Sequence, residues 1–340
     1  MSFAAMGLQV CVESYELRTP FAISGHVFTS VDVALVTLSR GDHVGRGEAA
    51  GVYYAADTPK KIQQQIEAQR GVIDSGLDRQ RLQRLLPTGG ARNALDCALW
   101  DLEAKEAGVP VWKLVGLALP VPLLTTWTLG AQAPVLMANR AAVEFAAARA
   151  LKLKLLGDSL DIDRVRAVRA ARPDVWLAVD ANQGLDPISF QRLLPFLIEA
   201  DVKLIEQPFP VGREDWGPPM RSRIPLAADE SIQGLTDVRR FAECFDVFNI
   251  KLDKCGGLTE ALEMAREIRA LGKQLMVGNM LGTSLAMAPA FVVGQLCDVV
   301  DLDGPLLLKH DRTEHVTYYD GRIACPEAVW GARALQGIAQ

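Results

Sequence analysis

A parallel β/α barrel capped by a smaller N-terminal α+β domain is the fold class that this 340-residue sequence predicts. Three observations predict it. Seven polar residues, Lys154, Asp180, Glu206, Asp229, Lys251, Asn279 and Asp301, recur at gaps of 26, 26, 23, 22, 28 and 22 residues. Most of them close a short apolar run (LKLK, WLAVD, KLIE, PLAAD, VFNIK, LMVGN, VVD), and a helix-like segment follows each run as far as Met280. A strand, a helix and two loops need about that length. Residues 1–118 lack this beat and read instead as strands followed by a helical block. In a parallel barrel the strand ends that share one face form the active-site face. Two lysines and at least four carboxylates are therefore expected around a single mouth.

Taken in order, residues 5–50 read as antiparallel strands. VDVALVTL at 31–38 is β-rich and apolar, and VGRGEA follows a polar turn at 40–43. Residues 19–30 (TPFAISGHVFTS) are polar and contain glycine, so a loop is expected there; a second loop is expected at 51–58 (GVYYAADT). Residues 59–86 are helical in pattern. ARNALDCALWDLEAKEA at 91–107 is a strong amphipathic helix, stopped by Gly108 and Pro110. Pro120 and Pro122 mark the seam between domains. The eight barrel strands are then expected at 123–129, 152–155, 175–180, 202–206, 224–229, 247–251, 274–279 and 298–302. Helices are expected at 133–150, 161–172, 187–200 and 258–271, with an irregular proline-rich stretch up to residue 223. HVTYYDGRIA at 315–324 carries the Asp-Gly mark of a hairpin. It lies beyond the barrel, so a C-terminal segment, 313–340, is expected to pack back on the cap. The barrel domain is placed at 119–312.

Bulk properties exclude several classes. Half the residues are hydrophobic and 23% charged, with a net charge of −5 and no long basic run, which argues against nucleic-acid binding. The N-terminal stretch MSFAAMGLQV has no signal-peptide pattern, and no apolar run is long enough for a membrane span. The six cysteines include no CxxC pair and there are four histidines, so reduced thiols in a cytoplasmic protein are expected, without a thiolate or imidazole metal site. A small-molecule substrate and a homo-oligomer are expected.

The chemistry follows from the strand ends. Asp180, Glu206 and Asp229 close three successive strands, and three convergent carboxylates suit a hard divalent cation, most simply Mg2+. A solvated strand end or a helix cap explains any one of them, but explains three in a row poorly. Lys154 and Lys251 flank the trio. Burial beside a cation should lower their pKa towards a neutral amine; a salt bridge to the carboxylates is the bland alternative. Lys152 shares a strand face with Lys154 and could position a substrate carboxylate. Two bases on opposite sides of one metal suit proton removal from one face and delivery to the other, which inverts a stereocentre. Asp301 and Asp303 alternate onto one side of the last strand and look like a clamp for a substrate ammonium; capping of the loop before Gly304-Pro305 is the alternative. Tyr53 and Phe28 from the loops and Thr126 from the first strand are assigned to the substrate side, with Tyr54 and Trp127 as further candidates for the mouth.

LPTGGARNALDCALWDL, KLKL, VDANQ, IEQP, ADES, NIKLDKCGGLTEAL and DLDGP together resemble the enolase superfamily, its muconate-lactonizing-enzyme subgroup, and most closely the dipeptide epimerases. The resemblance covers nearly the whole chain. It implies a modified TIM-type (β/α)7β barrel with an N-terminal capping domain. It also implies Mg2+ held by Asp180, Glu206 and Asp229, acid/base catalysis by Lys154 and Lys251 through an enediolate, and dipeptide ammonium binding by Asp301 and Asp303. The alternatives are an N-acyl amino acid racemase or a syn-elimination enzyme of the same subgroup, or a silent ligand-binding relative. The chain departs from the pattern at GNMLGTS, with Asn279 and Gly282 where relatives often carry cysteine and glutamate. It departs again at residues 19–30, which hold no arginine or lysine. An apolar or aromatic second residue is therefore expected in the dipeptide.

Overall fold

A computed structural model describes residues 6–23, 26–220 and 222–332. The cap begins with strands β1 (Gly7–Ile23), β2 (His26–Arg40) and β3 (His43–Ala49), paired antiparallel in that order. Residues 19–30, expected as a loop, are instead mostly strand. Phe21 still pairs with Phe28 and Ala22 with Val27, beyond a register shift between Glu16 and Phe21 that contains Pro20. A proline is tolerated in a strand at such an irregularity. The ribbon is largely exposed here, so it lacks the apolar alternation that marks a half-buried strand.

The helix Gly90–Ala107 lies across β3 at close range. A Cβ on Gly47 would sit 2.0 Å from the Ala94 carbonyl oxygen, and one on Gly45 2.1 Å from that of Ala98. Glycine at both positions is what lets the strand and the helix backbone meet. The cap core behind them includes Val36, Leu38, Ile62, Leu82, Leu95 and Leu102.

After β4 (Leu123–Leu124) come eight parallel strands: β5 (Thr126–Leu129), β6 (Ala150–Lys154), β7 (Trp176–Asp180), β8 (Leu204–Glu206), β9 (Leu226–Ala228), β10 (Val247–Ile250), β11 (Gln274–Val277) and β12 (Val299–Val300). They form one sheet in sequence order, curled into a nearly closed barrel. The expected first strand is split. β4 leaves the barrel to pair with the hairpin β13 (Thr317–Tyr319) and β14 (Arg322–Ala324), and only β5 enters the eight-stranded sheet. Beyond the hairpin, Trp330 Nε1 donates to the Arg46 carbonyl at 2.9 Å, and Gly331 N donates to Asp101 Oδ1 at 2.9 Å.

Alternation along each strand sorts the barrel. On β7, Leu177 and Val179 join the outer core shared with the helices, whereas Ala178 joins Leu204, Ala227, Val247 and Met276 in the interior. Asp180, two residues on from Ala178, therefore faces inward. The same parity brings Lys152, Lys154 and Glu206 into the interior.

Among the described residues no backbone ladder joins β12 to β5. The seam is closed by side chains. Thr125 Oγ1 accepts from Leu302 N at 2.9 Å, Asp303 Oδ2 accepts from Thr128 N at 2.6 Å, and the Thr126 hydroxyl donates to Asp301 Oδ1. Cap and barrel are joined by buried polar contacts. Glu48 accepts from Thr283 N at 2.8 Å and from Arg312 at 2.8 Å, and Asp96 accepts from Thr259 N at 2.9 Å. Among the described residues no helix is long and apolar enough to cross a membrane.

Candidate active site

Strand register builds the site. Lys154 pairs with Asp180 and Asp180 with Glu206 across three neighbouring strands, so these groups stand side by side at one barrel end. Asp229 follows β9 directly. Asp180, Glu206 and Asp229 are all buried, and each offers an oxygen such that the three lie within 4.8 Å of one another. Three buried carboxylate oxygens this close repel unless positive charge lies among them, and a hard divalent cation fits this donor set.

Lysines supply part of that charge. Lys154 Nζ donates to Asp180 Oδ2 at 2.5 Å, and Lys251 Nζ to Asp229 Oδ2 at 2.7 Å. Lys152 Nζ donates to Glu206 Oε2 at 3.2 Å and to Asp301 Oδ2, and lies 3.9 Å from Asp180 Oδ2. Burial alone would make Lys251 a weaker base-holder of its proton, but Asp229 and Glu206 outweigh it and raise its pKa. Lys152 behaves likewise, burial being overcome by Asp301 and Glu206. Asp229 and Glu206 thus act as counter-ions to Lys251. Burial and the neighbouring Asp180 push Glu206 up to about 7, whereas Asp229 is held low because Lys251 and Lys254 outweigh its burial.

Above this floor lies a cavity of about 390 Å³. Lys152, Lys154, Asp229, Lys251, Asp301 and Asp303 line it from the barrel; Phe21, Phe28, Tyr53 and Tyr54 line it from the cap. The rings of Phe28 and Tyr53 meet edge to face with centroids 5.5 Å apart. Asp301 is bound on one oxygen by Thr126 and on the other by Lys152. Asp303 faces the cavity, its hydrogen-bond donors among the described residues being those of neutral Thr128, and burial together with Asp301 pushes it up to about 6 against the pull of Lys152. Asn279 holds the backbone of this pair, its Nδ2 donating to the Asp301 carbonyl at 2.6 Å.

Two placements differ from the sequence reading. Trp127 does not line the mouth: it points outward with Leu129, its ring edge-on to Phe145 at 5.6 Å. Thr126 and Thr128 take the inward positions because the strand alternates. Thr126 itself lies beneath the cavity, behind Asp301, and Thr128 is the residue exposed in its wall.

Sequence reasoning missed four polar groups. Lys254 Nζ donates to Asp229 Oδ1 at 2.6 Å and to the Asp229 carbonyl at 2.5 Å. Asn249 Nδ2 donates to Glu206 Oε1 at 2.7 Å. Asn182 N donates to Asp180 Oδ1 at 2.9 Å, and Asn182 Nδ2 to Glu230 Oε1 at 3.1 Å. All four sit in quoted motifs (VDANQ, ADES, NIKLDKCGG) close to residues already chosen, and that nearness was the signal that could have found them.

Residues 5–116 match the family model described as mandelate racemase / muconate lactonizing enzyme, N-terminal domain, and residues 136–329 match the model described as enolase C-terminal domain-like. The chain is 35% identical to the L-Ala-D/L-Glu epimerase of Escherichia coli over 93% of its own length and 98% of that protein. It is 39% identical to an N-acetyl-D-glutamate racemase of Pseudoalteromonas over 72% of its length and 78% of that protein. Among solved structures, an enolase family member from Agrobacterium tumefaciens, described as homologous to dipeptide epimerases and holding sodium and L-Ala-L-Glu, superposes with a TM-score of 0.93. The two are 39% identical, over 96% of this chain and 100% of that one. A dipeptide epimerase from Methylococcus capsulatus complexed with Mg and L-Arg-D-Lys gives 0.88 at 31% identity, over 96% and 98%.

Proposed function

Because the chain belongs to the mandelate racemase and muconate lactonizing enzyme family of the enolase superfamily, and is an isomerase of the dipeptide-epimerase kind, we propose that it epimerises the second residue of a dipeptide by proton transfer between Lys154 and Lys251. One observation carries this reading. The two lysines stand on either side of a buried carboxylate triad, at the floor of a cavity whose wall bears Asp301 and Asp303.

In this reading Asp180, Glu206 and Asp229 hold Mg2+. The cation, when bound, supplies the positive charge that an enediolate needs next to its own carboxylate. Lys152 anchors the substrate carboxylate beside Glu206. Lys154 and Lys251 act on opposite faces of the α-carbon, one removing the proton and the other returning one. Asp303, with Asp301 behind it, receives the α-ammonium. A free ammonium suits this pair better than an N-acyl group: among the described residues Asp303 is hydrogen-bonded by neutral Thr128, and Lys152, which bonds Asp301 and Glu206, offsets its charge only in part, so an N-acetylated substrate would leave it poorly compensated.

The second residue's side chain would face the cap. Among the described residues lining the cavity, the cations are Lys152, Lys154 and Lys251, all on the barrel floor. The cap offers Phe21, Phe28, Val31, Tyr53 and Tyr54, with Asp32 and Asp57 as its charged groups. An apolar or aromatic side chain fits that wall, and an anionic one does not.

The test is a dipeptide library in D2O with Mg2+, read by mass spectrometry for deuterium at the α-carbon, with EDTA and N-acetyl dipeptide arms. Exchange on free dipeptides that stops in EDTA is expected. Full exchange in a metal-stripped sample would refute the metal reading, and equal exchange on the N-acetyl arm would favour the N-acyl racemase alternative.

A further inference from the structure

Beside the carboxylate triad, Asn249 Oδ1 is a buried acceptor without a hydrogen-bond partner among the described residues, and so are two oxygens that belong to cavity-lining residues, Asn182 Oδ1 and Glu230 Oε2. The latter two residues are bonded to each other, Asn182 Nδ2 donating to Glu230 Oε1 at 3.1 Å. Each is also tied to the triad. Asn182 N donates to Asp180 Oδ1 at 2.9 Å, and Glu230 follows Asp229 directly in the chain. Glu230 is 4% exposed, yet both residues line the cavity. Asn182 reaches this position in the left-handed region, at φ 40°, where asparagine is better tolerated than most side chains.

A buried acceptor oxygen left without a donor is costly, so an amide oxygen and a carboxylate oxygen facing one space imply that a donor arrives there. Among the described residues no protein group provides it. Mg2+ sheds its hydration reluctantly and is usually held by few protein oxygens with several waters retained, and those waters are strong hydrogen-bond donors. We propose that Asn182 and Glu230 form the outer seat for a water carried by the cation of the Asp180–Glu206–Asp229 triad. They would act as positioning residues that set how tightly, and how far hydrated, the cation is held. This rests on the metal reading above. A donor on the dipeptide itself is the competing source, and the experiment separates the two.

The experiment titrates metal-stripped protein with Mg2+ by calorimetry, without substrate, for the wild type, Glu230→Gln, Asn182→Gly and Asp229→Asn. Glycine keeps the left-handed backbone at position 182 and removes no charge, so a loss in that variant cannot be general electrostatics. The expected result is a Kd for Mg2+ raised by roughly 10- to 100-fold in both Glu230→Gln and Asn182→Gly. With Mn2+ as the probe, water-proton relaxation of the bound ion should change in both variants relative to the wild type. Mg2+ affinity within twofold of the wild type in both variants would overturn the proposal; a raised dipeptide KM at saturating Mg2+, with that affinity intact, would assign the two oxygens to substrate instead. Absence of Mg2+ binding by the wild type, or wild-type binding by Asp229→Asn, would instead bring down the metal reading.

Discussion

Exchanging the second residue of the substrate from glutamate to leucine or phenylalanine should raise kcat/KM by about two orders of magnitude. The magnitude comes from two parts of the cavity wall. A glutamate side chain there would meet Phe28, Tyr53 and Tyr54, with Asp32 and Asp57 near by and no cap lysine or arginine among the described lining residues. Leaving a buried charge without a partner costs about 2–5 kcal/mol. Tyr53 and Tyr54 are each 39% exposed, so the mouth is partly wet and the low end, about 2 kcal/mol, applies. At 1.4 kcal/mol per tenfold that is about 30-fold. Full burial of a leucine or phenylalanine side chain is worth about 1.5–3 kcal/mol; half of that in an open cavity adds a further factor of several. The assay is kcat/KM for L-Ala-L-Glu, L-Ala-L-Leu and L-Ala-L-Phe, read as α-deuterium uptake under one set of conditions. A companion variant, Phe28→Arg, places a guanidinium on the cap side and should lift the glutamate dipeptide about tenfold while lowering the apolar ones. A tenfold preference of the unaltered protein for L-Ala-L-Glu would refute the reasoning from wall composition to substrate.

Lys154→Ala and Lys251→Ala should each abolish epimerisation while leaving α-proton exchange on one epimer only; exchange of both epimers at the original rate in both variants would show that neither lysine is a base. Asp303→Asn should raise KM for free dipeptides by an amount equivalent to about 2 kcal/mol or more, with kcat less affected, and unchanged kinetics would reduce the residue to a structural tie. Lys254→Met removes one of the two cations on Asp229, and breaking such a buried pair costs about 3–5 kcal/mol. Its melting temperature should fall by several degrees in EDTA and recover with Mg2+ more than that of the parent protein, because the cation replaces the missing charge. Equal melting temperatures in EDTA would contradict that account.

The barrel was legible because its strands are apolar runs with one charged residue at the end, a pattern that survives in a single sequence. Asp180 and Glu206 could be chosen from that pattern alone. The distal ribbon of the cap was not legible. Phe21 and Ala22 pair with Phe28 and Val27 through their backbones, while the side chains of 19–22 and 27–30 stay exposed or only half-buried, so hydrophobic period carries no signal there. Trp127 was misplaced by composition: an aromatic beside a mouth looks like a wall, but strand parity decides, and Thr128 holds the inward position. The pairing of Lys251 with a carboxylate 2.7 Å away was not legible, since such a distance exists only once strands are neighbours. Asn249 stood in a quoted motif, but its partner could not be read from the chain. Its bond to Glu206 joins residues 43 apart in the chain.

The seam between β5 and β12 has a consequence for how this protein can change over evolutionary time. Asp301 and Asp303 fasten the last strand to the first through Thr126 and Thr128, in the place where a backbone ladder would otherwise run. The groups that would recognise a free amino terminus are thus also the latch of the barrel. A descendant that abandons dipeptides for substrates without that amine would lose the selective reason for both carboxylates and still need them mechanically. Drift at these two positions should therefore be rare and correlated with Thr126 and Thr128. The aromatic wall of the cap carries no such second duty, so changes of substrate within the dipeptides have a far easier path than departures from them.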